Sequence, residues 1–326
     1  MVATLPAAED LATDGTNLFV ADGTRVLRLV EGNVEEIAKF DRTVTALAYV
    51  NKGSFAVALD SREIRIVGGS GDGRRWDNIG GKPLIAANAI SVRHDGRLLV
   101  TDGSSAHPYE RWCHDLMSRG KTGRLVELNP GDGAGRELAS HLAYAFGACE
   151  LGDAAWVCES WRHRIVRYSG DSAGEVVLDE LPGYPSRMAT ASDGGFWLTV
   201  FTGRTQLIEF VLRERKYCER MMAEVDPRYW ISPALNSGRS FLEPLQGAGV
   251  KMRGVLKPWA PPRSYGLVIK LSAAGTVQYS FHSRLDGIHH GVVAAAECGG
   301  SLFVLSKGSG SILKLPVATS EGMVTK

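Results

Sequence analysis

GACELGDAAWVCESWRHRIVRY, residues 147–168, decides how this chain folds. It holds three short apolar runs, 148–151, 154–158 and 164–168, parted by a Gly-Asp turn and a polar Ser-Trp-Arg-His link. Gly and Asp tolerate the backbone angles of tight turns, and β-branched or aromatic residues suit a pleated surface. Runs of this length therefore read as an antiparallel meander and are too short for buried helices.

The same phrase recurs with drift in LATDGTNLFVADGTRVLRL (11–29), ALAYVNKGSFAVALDSREIRI (46–66) and AISVRHDGRLLVTDGS (89–104). In the last of these the third strand is postponed to GRLVEL (123–128). RMATASDGGFWLTVF (187–201) postpones it further, to YGLVIKL (265–271), and GVVAAAECGGSLFVLSKGSGSILKL (291–315) closes the series of six copies. A supersecondary phrase repeated about every 40 residues marks a repeat architecture. Radial sheets leave only short, protected edges, so six units predict an all-β, six-bladed β-propeller, one domain over 1–326. Weaker runs at 35–40, 135–138, 175–178 and 277–281 fit a fourth, outer strand.

Two insertions break the rhythm, and in a propeller both belong on a rim, covering one face. Residues 105–122 contain a short possible helix. Residues 202–264 make the fifth blade's insertion partly helical: Leu207, Phe210, Val211, Tyr217, Met221, Met222 and Val225 roughly follow helical spacing and predict a docked face. KPWAPPRSYG (257–266) reads as extended chain returning to the blade.

Lys+Arg 37 against Asp+Glu 36 leaves a net charge of +1, which argues against a nucleic-acid surface. The start MVATLPAAEDLATDG has no basic segment or signal-length apolar run, and no stretch approaches a membrane span, so a cytoplasmic address and no membrane partner are expected. Five Cys without metal-ligand spacing read as free or buried thiols.

LPGYPSRMATASDGGFWLTVF (181–201), ANAISVRHDGRLLVTDGSS (87–105), TGRLVELNP (122–130) and CESWRHRIVRY (158–168) resemble segments of strictosidine synthase-like proteins. That branch sits beside gluconolactonase, regucalcin and paraoxonase. The resemblance runs over roughly 9–316, most specifically 88–201, and implies a six-bladed propeller with its ligand site at one end of the central channel. It implies no single reaction, because the family is functionally mixed.

In the condensing members a glutamate on the last blade's first strand moves the proton. Alignment puts Val293 at that position, and valine moves no proton. Glu297, four strand residues on, lies about 13 Å along the strand, which is too far to substitute. The lactonase members instead bind a divalent cation such as calcium. Here Glu9 is the only retained ligand, with Phe146 and Ser186-Arg187 at the other positions, a donor set wrong for calcium, so no cofactor is expected.

The expected channel residues are Glu9, His289 and His290 as catalytic groups. Asn88, Tyr109, Arg111, Phe146, Tyr184 and Arg187 are expected around a small-molecule substrate. Each has a plainer alternative. Glu9 also reads as a capping acid or a partner of Arg187, the histidines as structural, and Tyr109 and Arg111 as loop packing. Arg187 suits a clamp on a carboxylate or phosphate. Ester or lactone hydrolysis is the expected chemistry. The alternatives are a lyase, isomerase or condensing enzyme, and a non-catalytic binding propeller.

Overall fold

In the computed structural model the meander over 147–168 is three strands, Ala145–Leu151, Ala154–Glu159 and Arg164–Tyr168, with a 3-10 turn, Ser160–Arg162, between the last two. The structure describes residues 1–317 apart from 31–32, 171–172, 238–250, 253–254, 257–262 and 285–286. Much of KPWAPPRSYG, 257–262, therefore lies outside the described residues.

Six four-stranded antiparallel sheets form the ring. Their inner strands are Ala8–Thr13, Val44–Asn51, Ala87–Val92, Ala145–Leu151, Gly183–Thr190 and Val292–Cys298. Each inner strand packs on the next, and the sixth on the first. The expected outer strands are present as Asn33–Lys39, Gly135–Leu142, Glu175–Leu178 and Val277–His282. The sixth blade takes its fourth strand from the other end of the chain: Ala3–Thr4 pairs with Ile312 and Ser311.

The core sits between blades rather than within one sheet. Ala46, Ala56 and Ile64 of the second blade pack on Ile90, Leu98 and Val126 of the third. Comparable clusters fill the neighbouring seams.

One irregularity recurs in every blade: the pairing of inner and second strands shifts register near the start of the inner strand. The skipped positions are Glu9, Thr45, Asn88, Phe146-Gly147, Ser186-Arg187 and Val293. A β-bulge leaves its residue unpaired in the ladder and turns it out of line. Repeated around the ring, it delivers six unpaired stretches of backbone to one end of the axis.

Both insertions cover that end. The first carries α1 (Trp112–Met117) and the second carries α2 (Gln206–Arg213) and α3 (Arg215–Glu224). Leu116, Val211, Cys218, Met221 and Trp230 join one apolar cluster with Phe146, Phe201 and Val293 of the blades. The docked face differs from the one expected from spacing. Glu214 leaves helical geometry between α2 and α3 (φ −84°, ψ 71°) and resets the phase. Ile208, Val211, Cys218 and Met221 turn inward, whereas Phe210, Tyr217 and Val225 are 59%, 47% and 40% exposed. No helix among the described residues is long and apolar enough to cross a membrane.

Candidate functional site at the axial end

Arg187 crosses the axis. Its Nη1 donates to the main-chain carbonyls of Glu9 (3.0 Å) and Val293 (3.4 Å), and its Nη2 to those of Thr45 (2.8 Å) and Asn88 (2.5 Å). All four acceptors are bulge residues, from the first, second, third and sixth blades. Nε stands 3.2 Å from Asp10 Oδ2, an ion pair without the alignment of a hydrogen bond. The guanidinium also lies over the Phe146 ring, 5.1 Å from its centre.

Gly147 permits this approach. It has φ +88°, and a Cβ there would stand 2.5 Å from Arg187 Cα. The clamp on a substrate expected at Arg187 is corrected by these bonds, which spend its donors on the protein itself. Its carboxylate partner is Asp10, and from Glu9 it takes only the carbonyl. Burial pushes the Asp10 carboxyl up to about 6, against Arg187 and the N–H groups of Leu47 and Leu11.

One layer above, three polar side chains meet. Glu9 Oε2 accepts from Lys307 Nζ and from Tyr109 Oη (3.1 Å), and Lys307 Nζ also reaches Tyr109 Oη at 3.3 Å. Burial works against the ammonium charge of Lys307, but Tyr109 and Glu9 outweigh it and hold its pKa above the ordinary lysine value. Burial, then Glu9, raises the Tyr109 phenol, partly countered by Lys307, so it keeps its proton at neutral pH. Glu9 Oε1 accepts no hydrogen bond from a described residue.

Beside this trio is a cavity of about 30 Å³ bounded by Tyr109, Phe146, Trp161, Phe201, Val293 and Lys307 among others. By that measure it has room for about two waters. A substrate needs the helices above it to move. A larger concavity, about 490 Å³, lies off the axis beside α2.

The remaining expected residues are placed elsewhere. Asn88 is wholly buried, its Nδ2 donating to Ala145 O (2.9 Å) and its Oδ1 accepting from Thr101 Oγ1 (2.6 Å), so its side chain ties two blades and does not face a ligand. His290 is buried with both ring nitrogens engaged, Nδ1 with Ser264 Oγ (2.7 Å) and Nε2 with Arg284 O (2.8 Å). His289 precedes the inner strand, which starts at Val292, and sits 3.3 Å from Ser309 Oγ. Neither histidine borders the axial cavity.

Tyr184 is buried in the aromatic cluster, with its hydroxyl 3.4 Å from Glu209, and Arg111 is exposed. Glu159 accepts from Ala143 N and pairs with Arg164 (2.5 Å) and Arg162 (3.5 Å). Glu297 accepts from Trp197 Nε1 (2.9 Å) and Ser192 in the seam between the last two blades. All five cysteines are free thiols.

The donor set does not fit a divalent cation. At the axial positions stand a guanidinium, a phenyl ring and carbonyls already bonded to Arg187, while the Glu9 carboxylate is held by an ammonium. Among the described residues no three His, Cys, Asp or Glu side chains form a metal-binding group.

Lys307 escaped sequence reading, though a signal existed. The connections from second to third strand all emerge at the end where the inner strands begin, and both insertions are such connections. Lys307 is the long cation in the corresponding Gly-Ser turn of the last blade, between Ser301–Ser306 and Ser311–Pro316.

No family model matches the chain. Among curated proteins it is similar to adipocyte plasma membrane-associated protein of Bos taurus, 27% identical over 286 residues, covering 74% of this chain and 68% of that one. It is also similar to the strictosidine synthase-like 4 protein of Arabidopsis thaliana, 25% identical over 159 residues, covering 48% of this chain and 41% of that one. The match thus spans less than half of the plant relative's length. Among solved structures, a gluconolactonase from Xanthomonas campestris superposes with a TM-score of 0.60 at 14% identity, over 96% of this chain and 86% of that one. Regucalcin from Agrobacterium tumefaciens gives 0.54 at 11%, over 94% and 83%. The sequence likeness is to strictosidine synthase-like proteins, and the structural likeness shows the shared propeller fold.

Proposed function

We propose that this strictosidine synthase-like propeller hydrolyses a small ester or lactone at its axial end without a divalent cation. The observation that carries the reading is the meeting of Glu9, Lys307 and Tyr109 beside the axial cavity. Lys307 Nζ keeps ammonium protons beyond the one it gives Glu9, so a carbonyl oxygen placed against it gains negative charge beside a cation, while the Tyr109 hydroxyl holds Glu9 in place. Glu9 holds a free carboxylate oxygen for the proton of an attacking water. The water oxygen bonds to the carbonyl carbon, its proton passes to Glu9, and on collapse the carbon–oxygen bond of the leaving group breaks and takes that proton. Trp161 and the helices above exclude bulk water once closed.

The test is a screen of lactones and aryl esters with chelator-treated protein, followed by variants on any substrate found. Glu9→Gln and Lys307→Met are expected to lower kcat by roughly 100-fold or more, and Tyr109→Phe by less. Variants that turn over normally, or activity abolished by the chelator, would reject the reading. A second reading, a propeller that binds without turnover, is favoured by Val293 at the condensing position and by the small cavity. It requires ligand binding in the wild type with no product on prolonged incubation.

A further inference from the structure

A second concavity, off the axis, is lined by cations. Between the end of α1 and the end of α2 is a cleft of about 220 Å³, bordered by Arg119, Lys121, Arg162 and Arg213, with Trp161 and Leu212 supplying apolar wall. Glu209, the one acid among the described residues that border it, is already engaged by Arg204 Nε (3.4 Å) and His163 Nε2 (3.3 Å). Arg162 has a 3.5 Å contact to Glu159, an acid outside the cleft whose closer partner is Arg164. The side chains of Arg119, Lys121 and Arg213 make no hydrogen bond or ion pair with any described residue.

The fold fixes these cations from three directions. Arg119 stands in left-handed backbone (φ 56°) at the end of α1, its N–H bonded to Leu116 O (2.8 Å). Gly120 then packs so closely on Asp115 that a Cβ would meet its carboxylate at 2.2 Å, which sets the corner leading to Lys121. Arg213 is the last residue of α2, and Arg162 ends the 3-10 turn before His163, itself left-handed at φ 51°. Four like charges converging on one hollow repel one another unless an anion enters, and a hollow of one sign beside low-dielectric walls concentrates the field. Guanidinium forks match the oxygens of carboxylate and phosphate.

The apolar wall adds a second constraint. Trp161 is half-buried, stacked on Tyr144 at 4.3 Å and fixed by Nε1 donating to Asp115 (2.7 Å). Its ring borders both this cleft and the axial cavity. We propose that the cleft binds a small organic anion, its carboxylate or phosphate held by the four cations and its apolar part laid against Trp161. The inference does not depend on hydrolysis at the axis. Where both hold, Trp161 is a wall common to the anchored anion and the axial cavity.

Calorimetric titration of the whole protein with inorganic phosphate and, separately, with citrate tests this. Saturable binding is expected for at least one probe, weakening as salt is raised. Phosphate alone assigns a phosphate-bearing ligand, citrate alone a carboxylate-bearing one, and both the oxyanion chemistry they share. Arg119→Asn with Arg213→Gln, exposed positions where folding is checked by thermal melt, is expected to weaken binding about tenfold or more. Asn is chosen at 119 because it tolerates the left-handed backbone. Arg220→Gln, an exposed α3 arginine paired with Glu224 outside the cleft, is expected to leave affinity unchanged. No saturable binding of either probe, full affinity in the double variant, or an equal loss in Arg220→Gln would overturn the proposal. Lactone turnover can succeed or fail independently of each result.

Discussion

Arg187 Nε stands 3.2 Å from Asp10 Oδ2 on the axis of the ring, and the rest of that guanidinium is bonded to four main-chain carbonyls from other blades. A side chain from the fifth blade thus satisfies, at the centre of the ring, oxygens that the bulges turn inward.

Removing that group leaves a buried carboxylate without its counter-charge and four carbonyls without a donor. Arg187→Met is expected to cost on the order of 3–5 kcal/mol in urea unfolding. Arg187→Lys is expected to recover little of it, because a point charge on a flexible stem cannot span four acceptors. A loss below about 1 kcal/mol would show that the carbonyls find other partners.

Gly147 is where the fourth blade gives Arg187 room. With φ +88° and only 2.5 Å between a new Cβ and Arg187 Cα, Gly147→Ala has to move one inner strand against the other. A loss of more than about 3 kcal/mol is expected. Wild-type stability in this variant would mean that the seam yields freely.

The pH dependence of Asp10 runs opposite to that of an ordinary salt-bridged acid. Its carboxyl is pushed up to about 6 from an ordinary 3.8, so the folded protein holds the proton more tightly than the unfolded chain. Stability at this site is therefore fully present below pH 3.8 and falls as pH rises to about 6. Compared with Asp10→Asn, wild type is expected to lose on the order of 2–3 kcal/mol across that window. Parallel stability curves for the two proteins would remove Asp10 from the account.

Ring closure rests on residues at the far end of the sequence from their partners. Val2 N donates to Ile312 O (2.8 Å) and Leu5 N to Gly310 O (2.7 Å). Deleting residues 1–5 is expected to cost about 2–3 kcal/mol and to raise hydrogen exchange at 311–316 first. Unchanged protection there would place closure elsewhere.

The strands were legible because each is bounded by turn residues that act locally, as in the Gly-Asp of 152–153 and the Gly-Asp-Gly-type corners of other blades. Blade closure by Ala3–Thr4 was not, since two residues carry no periodicity and their partners lie about 310 positions away. Glu9, Tyr109 and Phe146 stand together at the axial end, where the order of the strands places them. Asn88 and Arg187 misled because a residue's place at the axial end does not say whether its polar atoms are already spent on the backbone. His290 failed likewise, through Ser264 and Arg284. The helical face was misjudged because the break at Glu214 leaves no Gly or Pro in the sequence to announce it.

Calorimetric titration of calcium into chelator-treated wild-type protein addresses the centre of the account most directly. With Arg187 seated on the bulge carbonyls and Lys307 on Glu9, no saturable binding and no shift in Tm are expected. One calcium bound per chain, with a raised Tm, would contradict it.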